Sequence, residues 1–429
     1  MSLTFDTDRL IGKIDRSLIL DVAKAVIETP SPTGHEEDMA RLLVGVYADL
    51  GMDTHLQQIY EGRFNAVGSD QRGAGSGHTV LLSGHMDTSV RGSTDPAAGP
   101  GFRDVATLVD DEWLYGNGIF NMKNAFACYV AAVDALKRSG LPLNGRLIIA
   151  GTAGEIESAA VDEFQGREYD SNGMGLRYLI SHGYAADHHI LGEPSGMVPL
   201  TGQMGSTWVK VTTSGTFAHT AFADRQINAI KEMTLLQAAL EPWITSFREE
   251  NVFMGVAPQI NQAAIRGGLP WRAARTPDSC SLYMDVRFPP TKSPIEVQRE
   301  IRQAIETAAT GLARPVKVEF YVSRPGTVLD AGTPIIEAAK LAHERVLDEP
   351  MQPQFAPPFC TDAIDANRYG IPTVVYGAGG RPRTSMAATG SSPLTNDLRG
   401  QEGEYVSVED MVKTAEVYAL TCATLLLRT

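Results

Sequence analysis

The chain has 429 residues, 43% of them hydrophobic and 21% charged, and a formal net charge of −14. That length exceeds what one hydrophobic core usually supports, so two domains are expected. The acidic balance excludes a nucleic acid or an anionic membrane as partner, because counterion release needs a basic surface.

The opening "MSLTFDTDRLIGKIDRS" has no basic segment leading into an apolar core and no small-residue cleavage site, which argues against a secretory signal. No run approaches the ~18 apolar residues of a membrane helix. Cys128, Cys280, Cys360 and Cys422 are scattered, and they read as buried thiols of a reducing compartment. A cytoplasmic protein is expected.

Apolar residues at helical spacing flank the loop Thr29–Gly34 and predict two helices, the second entered through Thr33-Gly34-His35-Glu36-Glu37. "HTVLLSGHMDT" is a continuous apolar run, the pattern of a strand buried on both faces. "NMKNAFACYVAAVDALKRSG" reads as a helix from Asn121 to Gly140. "NGRLIIAGTAGE" and the shorter "DHHILGEP" read as further buried strands. Strands alternating with helices of this length argue an α/β layer around a mainly parallel sheet. After about Met204 the texture changes. "STWVKVTTSGTFAHTAF" and "SCSLYMDVRFPP" alternate in period two, with helices "NAIKEMTLLQAAL" and "SPIEVQREIRQAIETAAT" between and after them. That combination predicts an inserted α+β sandwich over 204–315, with 1–203 and 316–429 forming the discontinuous α/β domain. The α/β texture resumes with the helix "PIIEAAKLAHERVL", the strand "IPTVVYGAG" and the closing helix "SVEDMVKTAEVYALTCATLLL". The long polar loop from Gly377 to Glu404 is of a length often functional. Its "GAGG", Gly377–Gly380, lacks the spacing of a dinucleotide or phosphate loop and reads as a permissive turn.

His85 and Asp87 close the first buried strand at its C-terminal end, where open α/β sheets form ligand sites. The i, i+2 spacing lets the Asp87 carboxylate accept from the His85 imidazole, an arrangement that fixes tautomer and basicity for a metal. An isolated His-x-Asp equally well just closes a strand with polar groups, although Gly84 permits close approach. Glu155 and Glu193 end the next two strands, so three candidate side chains converge at one edge of the sheet. His219 sits alone on a strand of the inserted domain, where a histidine is more often structural. Arg287, in "MDVRFPP", has a planar fork suited to a substrate carboxylate, or to an acid at a domain seam.

In this order, "SGHMDT", "GNGIFNMKNA", "AGTAGEIES", "LGEPSG", "GSTWVKVTTSGTFAHTAF", "DVRFPP" and "CTDAIDANRYGIPTVVYGAG" resemble the metallopeptidase M20 family over nearly the whole chain. That family includes aminoacylases, acetylornithine and succinyl-diaminopimelate deacylases and glutamate carboxypeptidases. The resemblance implies a zinc-peptidase-like catalytic domain carrying a lid and dimerisation domain, and a homodimer or higher homo-oligomer. It implies two zinc ions bridged by an aspartate. By position, His85 and Glu193 resemble ligands of the first metal and Asp87 the group that orients His85. Glu155 resembles the general base, and His219 the lid histidine that stabilises the oxyanion.

The departures fall on one side. Asn121 stands where the bridging aspartate belongs, and Ile156 where the second glutamate of an adjacent pair belongs. Gly400 stands where the late histidine of the second metal belongs, and no histidine follows His343. Glu157 could replace the lost carboxylate only along a different backbone path. Random decay would strike ligands of both metals and the base, so the pattern favours a working enzyme with one divalent metal per chain, Mn²⁺ or Zn²⁺. His85, Glu193 and the Asn121 carbonyl oxygen are its expected ligands. The expected reaction is hydrolysis of a C–N bond in a carboxylate-bearing small molecule. Hydrolytic deamination of an aromatic amine such as 5-nitroanthranilate suits one metal. That aminohydrolase resembles the family and uses a single manganese, and Arg287 would then hold the ring carboxylate. The alternatives are an amidohydrolase of N-acyl amino acids or a carboxypeptidase, and a binding protein without catalysis on the same fold, against which the retained Glu155 argues.

Overall fold

The computed structural model describes residues 3, 5–73, 77–88, 103–379 and 404–427. The chain divides into two compact units. One comprises Met1–Thr201, Leu329–Gln354 and Thr361–Thr429, and the other Gly202–Val328 with Phe355–Cys360. The second unit extends beyond the expected boundary at 315. The reason is the strand Lys317–Arg324, which pairs antiparallel with Gly205–Ser214.

In the first unit the sheet order is Asp53–Tyr60, Arg63–Arg72, Gly145–Thr152, Thr79–His85, His188–Leu191, Thr373–Val375. Gly145–Thr152, Thr79–His85, His188–Leu191 and Thr373–Val375 are mutually parallel, and the first two strands add an antiparallel edge. The continuous apolar runs have a simple cause. Val80, Leu82 and Ile149 face a layer built on the helices Arg16–Ile27, Asn124–Arg138, Pro334–Leu347 and Val408–Leu426. Leu81, Ile148 and Ala150 face Leu176, Leu179 and Ala366 on the other side. Alternate side chains therefore enter two cores, as a strand covered on both faces requires. All four cysteines are buried without a disulfide. Among the described residues no helix is long and apolar enough to cross a membrane.

The second unit is a four-stranded antiparallel sheet in the order Ile260–Gly267, Ser279–Phe288, Gly205–Ser214, Lys317–Arg324. One face, with Val209, Val211, Leu282, Met284 and Val286, packs on Leu236 and Leu240 of helix Ala229–Glu250 and on Val297, Ile301 and Ile305 of helix Pro294–Ala308. Ser293 and Glu296 cap the second of these helices reciprocally, a strong local start signal.

The helix expected from Asn121 begins at Asn124. The preceding turn, Ile119–Lys123, breaks helical geometry at Asn121 (φ −121°, ψ 98°) and Met122 (φ −132°, ψ 31°). Long-range hydrogen bonds to this turn, described below, override the local helical periodicity.

Candidate metal centre

His85 ends its strand fully buried. A Cβ at Gly84, just before it, would meet the end of the Met122 side chain, which packs against that backbone. The His85 Nδ1 lies 2.9 Å from the backbone oxygen of Asp87 and 3.5 Å from its Oδ1. The nearer partner is thus the carbonyl, because Asp87 has left the strand and its side chain does other work. Asp87 Oδ1 accepts from Glu155 N at 3.0 Å, and Oδ2 accepts from Ile156 N at 3.1 Å and from Thr33 Oγ1 at 2.9 Å. Asp87 therefore holds the histidine mainly through its backbone oxygen, and the backbone that presents Glu155 through its carboxylate. Gly154 permits this turn with its positive φ of 68°.

With Nδ1 bound to an acceptor, Nε2 is the nitrogen left to face the acids around it. Asn121 Oδ1 lies 3.0 Å from it, Glu193 Oε1 3.5 Å and Glu155 Oε2 3.9 Å. Among the described residues, His85, Glu155 and Glu193 form the group able to hold a cation, their ligand atoms all within 4.8 Å of one another. Glu157 is not in that group. Burial alone would push the His85 pKa down, but Glu193, Asp87 and Glu155 outweigh it and hold it well above its ordinary value. Burial pushes Glu193 up to about 7, helped by Asp362 and Asp87 and opposed by His85. Buried oxygens of two acids and a half-buried amide oxygen around one imidazole make a donor set that suits a divalent cation.

The structure thus brings together His85, Asp87, Asn121, Glu155 and Glu193. Ile156 offers only its backbone N–H to Asp87, and Gly400 lies outside the described residues. His343 is buried with Nδ1 against the Tyr376 hydroxyl, inside the helical layer.

His219 and Arg287 belong to the second unit. His219 is exposed, on the short strand Ala218–His219, and its Nδ1 accepts from Ala221 N at 3.1 Å. That bond leaves the proton on Nε2 and makes this nitrogen a donor. Arg287 is buried, and both its Nε (2.8 Å) and Nη2 (2.6 Å) reach Asp285 Oδ2. Its fork is engaged with an acid of its own strand.

Two residues of this centre carry no local sequence signal. Thr33 supports Asp87 from the loop before the second helix. Glu404 Oε2 accepts from Phe120 N at 3.0 Å and Asn121 N at 3.1 Å. A lone glutamate after a long polar loop announces nothing of that contact.

The sequence profile of Peptidase family M20/M25/M40 matches residues 81–424. An acetylornithine deacetylase of Edwardsiella ictaluri is 28% identical over 374 residues, 83% of this chain and 88% of the relative. The N-formyl-4-amino-5-aminomethyl-2-methylpyrimidine deformylase of Bacillus subtilis is 25% identical over 395 residues, 84% of this chain and 87% of the relative. Among solved structures, a tripeptidase of Staphylococcus aureus aligns with a TM-score of 0.74 at 17% identity, covering 97% of this chain and all of its own.

Proposed function

Because this chain belongs to peptidase family M20/M25/M40, whose members resembling it are metal-dependent hydrolases of C–N bonds, we propose that it hydrolyses a C–N bond of a carboxylate-bearing small molecule with one divalent cation per chain. The observation that carries this reading is the convergence of Asn121, Glu193 and Glu155 on His85 Nε2, with an amide at 121 and an isoleucine at 156. His85 Nε2, Glu193 Oε1 and Asn121 Oδ1 are the proposed ligands, and Mn²⁺ suits this mixed donor set as well as Zn²⁺. The bound cation supplies a Lewis acid that activates water and polarises the bond under attack. Glu155 takes the proton from the attacking water and returns it to the leaving nitrogen. His219 Nε2–H is the proposed donor to the developing negative charge. Arg287 is the proposed partner of the substrate carboxylate, in exchange for part of its bond to Asp285.

The deacetylase and the deformylase, by their names, remove acyl groups from amines, and this supports an N-acyl amine as substrate. Hydrolytic deamination of an aromatic amine such as 5-nitroanthranilate is the second reading, favoured by the one-cation donor set. A panel of N-acyl amino acids, dipeptides and nitro- or aminobenzoates, assayed with added Mn²⁺, separates the two. Free amine or amino acid from the acylated substrates supports the first, and ammonia from an aminobenzoate the second. Metal analysis of the purified protein is expected to give about one equivalent per chain. Two equivalents, both needed for activity, would sink the one-cation reading.

A homo-oligomer is also proposed. Among the described residues Ile260–Gly267 is an edge strand of its sheet, and every one of its residues is at least partly exposed, an edge suited to pairing with a second copy. Light scattering should return at least twice the chain mass; a monomer at all concentrations refutes this.

A further inference from the structure

We propose that Glu404 is a positioning residue that holds Asn121 as a cation ligand; this rests on the one-cation reading above. Asn121 has non-helical φ and ψ within the turn Ile119–Lys123, so a regular helix ladder does not set its backbone. Antiparallel pairing of Tyr405 with Tyr115 carries Glu404 to the start of this turn, and the two rings stack with centroids 5.0 Å apart. There Gly116 N donates to the Glu404 backbone oxygen at 3.3 Å, and the buried carboxylate takes the amides of Phe120 and Asn121. On the other side, Asn124 Nδ2 donates to the carbonyls of Ile119 and Phe120 at 2.7 and 3.1 Å. The peptides leading into Asn121 are thus held through their N–H groups by Glu404 and through their carbonyls by Asn124. Asn121 Oδ1 then projects to within 3.0 Å of His85 Nε2.

This holding matters more for an asparagine than for the aspartate its place would otherwise carry. A carboxylate offers two equivalent anionic oxygens, so a small rotation still presents a ligand. An amide offers one neutral oxygen, and the same rotation presents an NH₂ group that repels a cation. A charge-assisted bond to two backbone amides fixes the main chain from which that oxygen is aimed. Residues that orient metal ligands typically change affinity by about 10–100-fold when altered.

The test is a double-mutant cycle on the full, metal-stripped chain, with Mn²⁺ as the probe in titration calorimetry. Wild type, Asn121→Ala, Glu404→Gln and the double variant are compared, and circular dichroism verifies folding. Glu404→Gln is expected to weaken Mn²⁺ binding by about 10–100-fold, and the double variant to bind no more weakly than Asn121→Ala alone. Glu404→Asp, which keeps the charge on a shorter arm, should recover part of the loss, and it takes the place of Glu404→Gln in the cycle should that variant not fold. Unchanged affinity at position 404 with a loss at 121 overturns this inference and leaves the one-cation site standing. Additive losses overturn it too, because Glu404 would then act by another route. No loss in Asn121→Ala overturns the one-cation ligand set itself, and this inference with it.

Discussion

Glu155→Gln is expected to lower kcat by about 10²–10⁴-fold, the usual contribution of a general base, while the folded protein keeps its cation. Glu155 is 5% exposed, and the backbone that presents it is held: Glu155 N is bound to Asp87 Oδ1 at 3.0 Å and Ile156 N to Oδ2 at 3.1 Å. Glutamine has the same length and branching, so the turn at Gly154 and the bonds to Asp87 survive the change. What disappears is the capacity to accept a proton. Glu155 also lies 3.9 Å from His85 Nε2, near enough to be a ligand, and the substitution separates the two roles. A base gives a collapsed kcat with Mn²⁺ affinity within roughly threefold of wild type, because only the transition state is affected. A ligand gives a large loss of affinity in the metal-stripped protein. Steady-state kinetics on the best substrate of the panel, with Mn²⁺ titration of the same preparation, reads both. Full activity would remove Glu155 from the mechanism altogether.

The strand ends that carry this chemistry are legible because a strand buried on both faces must be apolar throughout. His85, Glu155 and Glu193 interrupt or follow such runs, and each lies at or within three residues of a parallel strand's C-terminus. The antiparallel edge carries no such signal. Asp53–Tyr60 and Arg63–Arg72 mix polar and apolar residues, and Arg63, wholly buried, looks in sequence like an ordinary surface cation. The strand Lys317–Arg324 is equally silent, since its central residues are only partly buried and their pattern is weak. The helix starts at Asn124 rather than at the expected Asn121 for a different reason. Apolar periodicity runs through that turn without a break, and what stops the helix is a carboxylate 283 residues further along. Local patterns report burial well, but they carry no trace of a partner brought in by topology.

Arg63→Met is expected to cost about 3–5 kcal/mol above about pH 7, where it strands the ionised member of a buried ion pair. Arg63 and Glu36 are both 0% exposed, with Nε 2.7 Å from Oε2 and Nη2 donating to Oε1 at 2.7 Å. The remaining arm, Nη1, donates to the carbonyls of Arg167 and Asp170 at 2.8 and 3.0 Å, so the pair ties the entrance of helix Glu37–Asp49 to the segment following the Glu155 turn. Methionine fills the stem but supplies no donor. The loss has a pH dependence whose sign follows from Glu36. Burial first, and the Asp87 carboxylate second, raise its pKa to about 7 against the pull of Arg63. Below that pH the native state carries a neutral Glu36 and the variant forfeits mainly the bonds of Nη1 and the packing. Above it, wild-type Glu36 ionises beside its guanidinium, whereas the variant must keep a proton that the unfolded chain has already released. Stability then falls with rising pH by about 1.4 kcal/mol per unit until Glu36 finally ionises. Thermal unfolding at pH 6 and pH 8.5 measures this: the gap in midpoint between variant and wild type should be several degrees at the lower pH and clearly wider at the higher. A gap that is equal at both, or that narrows, shows that Arg63 does not stabilise an ionised Glu36. Adding Glu36→Gln should close most of the widening, because the double variant has no acid left to strand.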